Sequence, residues 1–476
     1  MRFSATPRST LRSPAFANAM ARQAIYALCA AYALYCLVTN PAGPITTPDS
    51  IRYLDMWPNY PMGYQLFLQL TGAGAAVIAQ PILYAAALAF LGREIVRTTR
   101  STWLAVAVLI GSMIVPQIRE FHASILSESL FLSLLVVFLA LAVRFIHHPT
   151  WRLMVAIAVT AGLSAMVRRT GFAFVPVMLV MVVLAADFAK ATSSQAVRFF
   201  VAAIVPFVVI IGIERAVAPM IYAGEPSSLT GRHLFAKAAL IDAPPSASQG
   251  DPVRRLLDDQ LEHAYAPIRQ MLAGAPSHVR AVLTIYYETC LQGGCADQAR
   301  AATGEATEAR QTSVMGAAGL ARIRRAPANF LQLTWTHYGS LWTVNRLRHP
   351  DIAADLNAFL ATHRPLPYEE LAMALGPDRT LEFSGSENVR YAQYAIFAIA
   401  VLTAALALTG MIAAVANLQL SPAIGTAAVA AITLHAGLIL TALLAAGFAR
   451  FLLGLWPALV VACAFGAYGL KSKVKS

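Results

Sequence analysis

The sequence predicts an all-α polytopic membrane protein of about ten transmembrane helices carrying a small, mainly α exported domain. Three observations lead there. Of the 476 residues 58% are hydrophobic and 13% charged, too few polar side chains to cover a soluble fold. Apolar runs recur at close to the roughly 20 residues that cross a hydrocarbon core. They lack the short, period-two alternation of a membrane barrel.

The runs fall near 23–39, 64–91, 102–116, 125–144, 152–167, 171–187, 199–219, 391–417, 422–445 and 451–470. They divide the chain into an N-terminal bundle of seven helices (1–219), an exported domain (220–390) and three C-terminal helices (391–476). The exported part combines helical stretches such as DPVRRLLDDQLEHAYAPIRQML with breaks such as IDAPPSASQGDP, and no alternating runs suggest a sheet.

Alternate connections between the runs differ in charge. Arg2, Arg8, Arg12 and Arg22 precede the first run; Arg93, Arg97 and Arg100, then Arg144 and Arg152, then Lys190 and Arg198 occupy every second connection, and Lys471, Lys473 and Lys475 follow the last. Only Glu94 and Asp187 oppose them. Cytoplasmic loops collect Lys and Arg, so both termini are expected in the cytoplasm and 220–390 outside. The net charge of +12 is then largely an orientation signal, and a nucleic-acid role has no support. The basic N-terminus and its apolar run read as an uncleaved first helix, since no small-x-small cleavage site follows cleanly.

Cys29, Cys36 and Cys463 fall within apolar runs and read as small packed residues. Cys290 and Cys295, in YYETCLQGGCADQ, belong to the exported domain and are a disulfide candidate in an oxidising compartment. Zinc is not expected, because no second Cys or His pair stands at ligand spacing.

The outer connections gather an unusual ionisable set. Asp49, Arg52 and Asp55 lie in the first outer loop, 40–63, in TPDSIRYLDMWPNYPMGYQ. Arg119, Glu120 and His122 lie in the second, with Glu128 about one turn into the next helix. Arg168 and Arg169 occupy the third, and Arg450 the last. Paired arginines outside oppose the orientation rule, and a glutamate near the membrane needs a partner or an interior. Guanidinium groups suit a phosphate at that depth. A carboxylate within reach could act as a general base or hold a divalent cation, Mg or Mn, through oxygen; the sequence leaves the metal requirement open.

On these residues the chain resembles the GT-C class of polytopic glycosyltransferases, which use polyprenyl-phosphate sugars. It is most similar to bacterial members related to protein mannosyltransferases and the aminoarabinose transferases of lipid A. The resemblance covers roughly 24–215 and 445–465. PDSIRY and NYPMGYQLFL are similar to the family's first outer loop, which implies Asp49 as catalytic base. Ser50 stands where members often carry a second acid, and Asp55 is the alternative. ILSESLFLSLLV implies a donor-site or acceptor-site role for Glu128, GLSAMVRRTGFAFVP implies phosphate contacts from Arg168 or Arg169, and GFARFLLGLWP implies one from Arg450.

Arg52 and His122 complete the set expected around the lipid phosphate. Tyr53, Trp57 and Tyr60 either settle the first loop at the interface or line a sugar pocket. Arg232, His233 and Lys237, opening the exported domain, either meet donor or acceptor or lie on a surface helix. NFLQLTWTHYGSLW reads as an interfacial helix, and His435 as packed and hydrogen-bonded. The expected activity is inverting transfer from an undecaprenyl-phosphate carrier to a lipid, glycan or protein acceptor, on the periplasmic side of a bacterial cytoplasmic membrane. A lipid-linked glycan polymerase or ligase, and a transporter or flippase, are the alternatives.

Overall fold

The computed structural model describes residues 14–41, 43–188, 193–222, 229–244, 252–284, 304, 307–344, 348–362, 384–416, 418–445 and 450–474. Cys290 and Cys295 lie outside the described residues. Within them the chain is helical, and the isolated bridge between Ile45 and Ser124 is the sole strand-like pairing.

The N-terminal part comprises α1 (Pro14–Thr39), α2 (Pro48–Leu54), α3 (Met62–Thr71), α4 (Ala73–Thr99), α5 (Thr102–Met113), α6 (Pro116–Ala123), α7 (Ser127–His147) and α8 (Trp151–Val167). A 3-10 turn over Arg169–Ala173 leads into α9 (Phe174–Phe188) and α10 (Ser193–Ile221). The expected spans are not all continuous helices. The run 64–91 divides at Gly72, whose φ of 76° suits glycine. The run 102–116 ends at Met113, and α6 departs at 63° to α5, with Pro116 at its first turn.

Five helices among the described residues are long and apolar enough to cross a membrane: α4, α7, α10, Glu387–Ala416 and Pro422–Leu444. The bent pair α5 and α6 makes six if taken as one span. Trp151–Val167, Arg169–Leu184 and Trp456–Lys471 are apolar but shorter, so ten full-length spans are not what the helices display. Two of the five are central: the apolar windows of α7 and Pro422–Leu444 are 78% and 72% buried, against 22% and 17% for α10 and Glu387–Ala416. The exposed side of α10 carries Val205, Val208, Val209 and Ile213. A helix whose open face is as apolar as its packed face is suited to lipid rather than water.

α4 and α7 run side by side in the same direction. Near their N-terminal ends Gln80 Nε2 donates to the carbonyls of His122 and Ser124 at 2.9 and 3.1 Å. Toward their C-terminal ends Arg144 stands 4.0 Å from Glu94.

The region between α10 and Glu387–Ala416 is mainly helical, as expected. Its α11 (Thr230–Ala239) packs on Glu308–Arg325 around Phe235, Ala239, Leu257 and Met315. Buried Arg322 donates to the carbonyl of Ile241 and pairs with Glu262. The helix Pro327–Leu341, expected at an interface, exposes Leu331 and Trp335 and packs its other side on Pro422–Leu444. There Tyr338 Oη and His435 Nδ1 are 2.6 Å apart, and His435 Nε2 is 3.2 Å from Thr403. His435 is thus packed and hydrogen-bonded.

Candidate functional site

The first loop is shaped by its own short helix. Pro48 occupies the first turn of α2, and the Thr47 N–H donates to Ser50 Oγ at 2.8 Å. Helical spacing then brings Asp49, Arg52 and Tyr53 to neighbouring positions. Two contacts fasten this loop to the next: Ser50 Oγ donates to the Ile125 carbonyl at 2.9 Å, and Ile45 exchanges backbone bonds with Ala123 and Ile125. Gln65 Nε2 holds the far side through the Trp57 carbonyl at 2.9 Å. Ser50, where the resembled family often has an acid, is fully buried and works as a fastener.

Asp49 is the hub. Tyr60 Oη donates to its Oδ1 at 3.0 Å, and Arg52 Nη1 donates to Tyr60 Oη at 2.7 Å while standing 3.7 Å from the same Oδ1. Arg450, from the far end of the chain, approaches the other oxygen, Oδ2, also at 3.7 Å. The carboxylate is 31% exposed, Arg52 42% and Arg450 47%, so all three are open to a ligand. Trp57 and Tyr60 lie under Arg52, their ring centroids 5.6 and 5.8 Å from its guanidinium carbon.

A second, buried group adjoins the first. Glu128, in the first turn of α7 where the helix dipole favours an anion, accepts from Arg168 Nη1 at 2.9 Å. The same nitrogen donates to Ser127 Oγ at 3.3 Å, and Tyr53 Oη donates to that hydroxyl at 2.9 Å. Phe451 joins the two groups, with both Arg168 and Arg450 5.4 Å from its ring centroid. Tyr53 and Tyr60 meet edge to face at 4.9 Å. The contacts therefore close a ring: Asp49, Tyr60, Tyr53, Ser127, Arg168, Phe451, Arg450 and back to Asp49.

Protonation follows from this packing. Burial, reinforced by Glu128, raises the Tyr53 hydroxyl above its usual range. Burial raises Tyr60 as well, against the opposing bond from Arg52. For Arg168 burial acts downward, but Glu128 and Tyr53 outweigh it and the guanidinium is raised. Two carboxylates and three cations thus share the site, leaving an excess positive charge.

The remaining expected residues go elsewhere. Arg169 turns away from its neighbour and pairs with Glu214 Oε2 at 2.8 Å. Glu214 is a buried acid of α10 whose other oxygen accepts from the Met62 N–H at 3.4 Å. Sequence reasoning passed over Glu214, although an acid within an apolar run was the available signal. His122 is fully buried, with Nδ1 2.7 Å from Ser129 Oγ and its ring against Tyr84 and Tyr32. It belongs to the core and not to the contacts that hold Asp49. Asp55 caps α2 and is exposed. Lys237 is fully buried, bonded to His337 Nδ1 and, at 2.8 Å, to the Ala442 carbonyl. It ties the intervening domain to the membrane-type helices. Arg232, on the same α11, is partly buried. Among the described residues no three His, Cys, Asp or Glu side chains gather as metal ligands.

Fold and site together define an all-helical protein with apolar helices long enough to cross a membrane and an acid and arginine cluster at one end of them. Compared with protein-family models, with curated proteins and with solved structures, the chain matches none.

Proposed function

We propose that the chain is an inverting glycosyltransferase of the bacterial cytoplasmic membrane, with ten spans, cytoplasmic termini and its site on the periplasmic side. It takes a sugar from a polyprenyl-phosphate carrier. The observation that carries this reading is the partly exposed Asp49 carboxylate held between Arg52 and Arg450 at 3.7 Å on each side. Both guanidiniums stand at ion-pair distance from the carboxylate and are partly exposed, and a guanidinium fork suits a phosphate.

In the proposed reaction an acceptor hydroxyl attacks the anomeric carbon and its proton passes to Asp49. The bond from that carbon to the lipid phosphate oxygen breaks, and the phosphate leaves with the electron pair. Arg450 and Arg52 hold the departing charge. Arg168, committed to Glu128, adds to the positive field through a fixed position.

The test is to incubate the purified chain with a panel of polyprenyl-phosphate sugars, with and without a chelator, and follow release of lipid phosphate. Release from one donor, lost in Asp49→Asn with the helical spectrum unchanged, is the expected result. Consumption of a diphosphate carrier instead would mark a glycan polymerase or ligase, and substrate movement across liposomes without release would mark a transporter.

A further inference from the structure

The C-terminal ends of α4 and α7 meet far from Asp49: Ser127 to Arg144 spans roughly 25 Å along α7 at 1.5 Å per residue. Here Glu94 is fully buried and three arginines surround it. Arg93 Nη2 donates to Oε1 at 3.1 Å. Arg97 Nη1 and Arg144 Nε stand 3.9 and 4.0 Å from Oε2, ion-pair distances beyond hydrogen-bond range. Accordingly Oε2 has no hydrogen-bond partner. The Arg97 and Arg144 side chains, 54% and 34% exposed, keep their donors uncommitted among the described residues.

Helix dipoles do not account for this cluster. Two converging C-termini favour arginines, but the same field opposes a glutamate, and burying a carboxylate is unfavourable without firm partners. What Glu94 achieves is to gather three guanidiniums on one spot while leaving two of them free to donate. Three cations against one anion leave two positive charges in excess. Depth points the same way: Trp103 and Trp151, both exposed, follow directly on α4 and α7, and exposed tryptophan marks a membrane's polar boundary.

We propose that Arg93, Arg97 and Arg144, gathered by Glu94, bind the phosphate of an anionic phospholipid at this end of the bundle. The site is independent of Asp49 and of the proposed transfer reaction. Its role is anchorage: it fixes the ends of the two parallel helices to the charged leaflet.

The full chain in detergent is mixed with photoactivatable phosphatidylglycerol or photoactivatable phosphatidylcholine, and crosslinked peptides are mapped by mass spectrometry. Phosphatidylglycerol is expected to mark residues 90–103 and 140–152 about tenfold more than phosphatidylcholine. The Arg97→Gln, Arg144→Gln double variant should bring that labelling down to the phosphatidylcholine level, and Arg97→Lys, Arg144→Lys should keep most of it. Equal labelling by both lipids, labelling spread evenly along the helices, or a double variant that labels like the unaltered chain overturns the assignment. Inorganic phosphate suppressing the labelling at equal concentration would mark a soluble-anion site and overturn the lipid. The map on the unaltered chain stands even where a variant fails to fold.

Discussion

Arg168 and Glu128 form the tightest charged pair of the site, nearly closed to solvent. Arg168→Gln leaves the glutamate buried without its partner, which costs about 3–5 kcal/mol in comparable buried pairs. Thermal unfolding in detergent should therefore drop sharply for Arg168→Gln and recover in the double variant that also carries Glu128→Gln. Tyr60→Phe acts differently, because the hydroxyl links Arg52 to Asp49 without filling extra volume. Its expected effect is a modest reduction of lipid-phosphate release with an unchanged melting temperature. At this scale Asp49, Arg168, Glu128 and Arg450 were legible in the sequence because charged residues stand out in an apolar chain. Ser127 and Phe451 were not: a serine and a phenylalanine beside a membrane carry no signal until their neighbours in space are known. Arg168 and Arg169, adjacent in sequence, part company because the turn between α8 and α9 sends successive side chains to different helices.

That turn rests on one glycine. Gly171 lies so close to the end of α8 that a Cβ there would stand 2.4 Å from the Ala165 nitrogen, and Gly63 of α3 is similarly tight against Met166 at 2.9 Å. Gly171→Ala must push the 3-10 turn off α8. The expected outcome is a loss of about 1–3 kcal/mol, typical of overpacking, with impaired lipid-phosphate release, since Arg168 precedes the turn; unfolding and release assays on one preparation check both. Each apolar run is helical, but hydropathy misjudged continuity. The run 64–91 stays apolar across Gly72, so a positive-φ break leaves no trace in it. The bend after α5 falls where the apolar run gives way to the polar PQIREFHA, which reads as a loop by hydropathy, so only Pro116 hints at the new helix.

The whole molecule joins a lipid-suited bundle to a domain with its own packed core, and α11 belongs to both. Lys237 reaches the Ala442 carbonyl, while His233, one turn earlier, is held down at about 4 by burial and by the nearby Lys237 and Arg232. An unfolded imidazole titrates near 6.5. Between those values the unfolded chain binds the extra proton, so this contribution is complete above about pH 6.5 and is lost as pH falls toward 4. The melting temperature should fall from pH 7 to pH 4.5, and His233→Asn should flatten that dependence. Composition made the membrane class legible at this scale, and the helical character of 220–390 followed from its local patterns. The attachment of that domain through buried Lys237 was not legible, since a lysine four residues from a histidine on an amphipathic helix reads as surface.

The contacts from Asp49 round to Arg450 form a hoop and not a chain, and a hoop has two routes between any two of its members. Cutting one link leaves every residue still connected through the other side, so a single substitution should shift the arrangement little. Cutting a second link divides it into two arcs that move separately. Tyr53→Phe and Phe451→Leu, on opposite arcs, should each reduce activity modestly and together reduce it far more than the product of their separate effects.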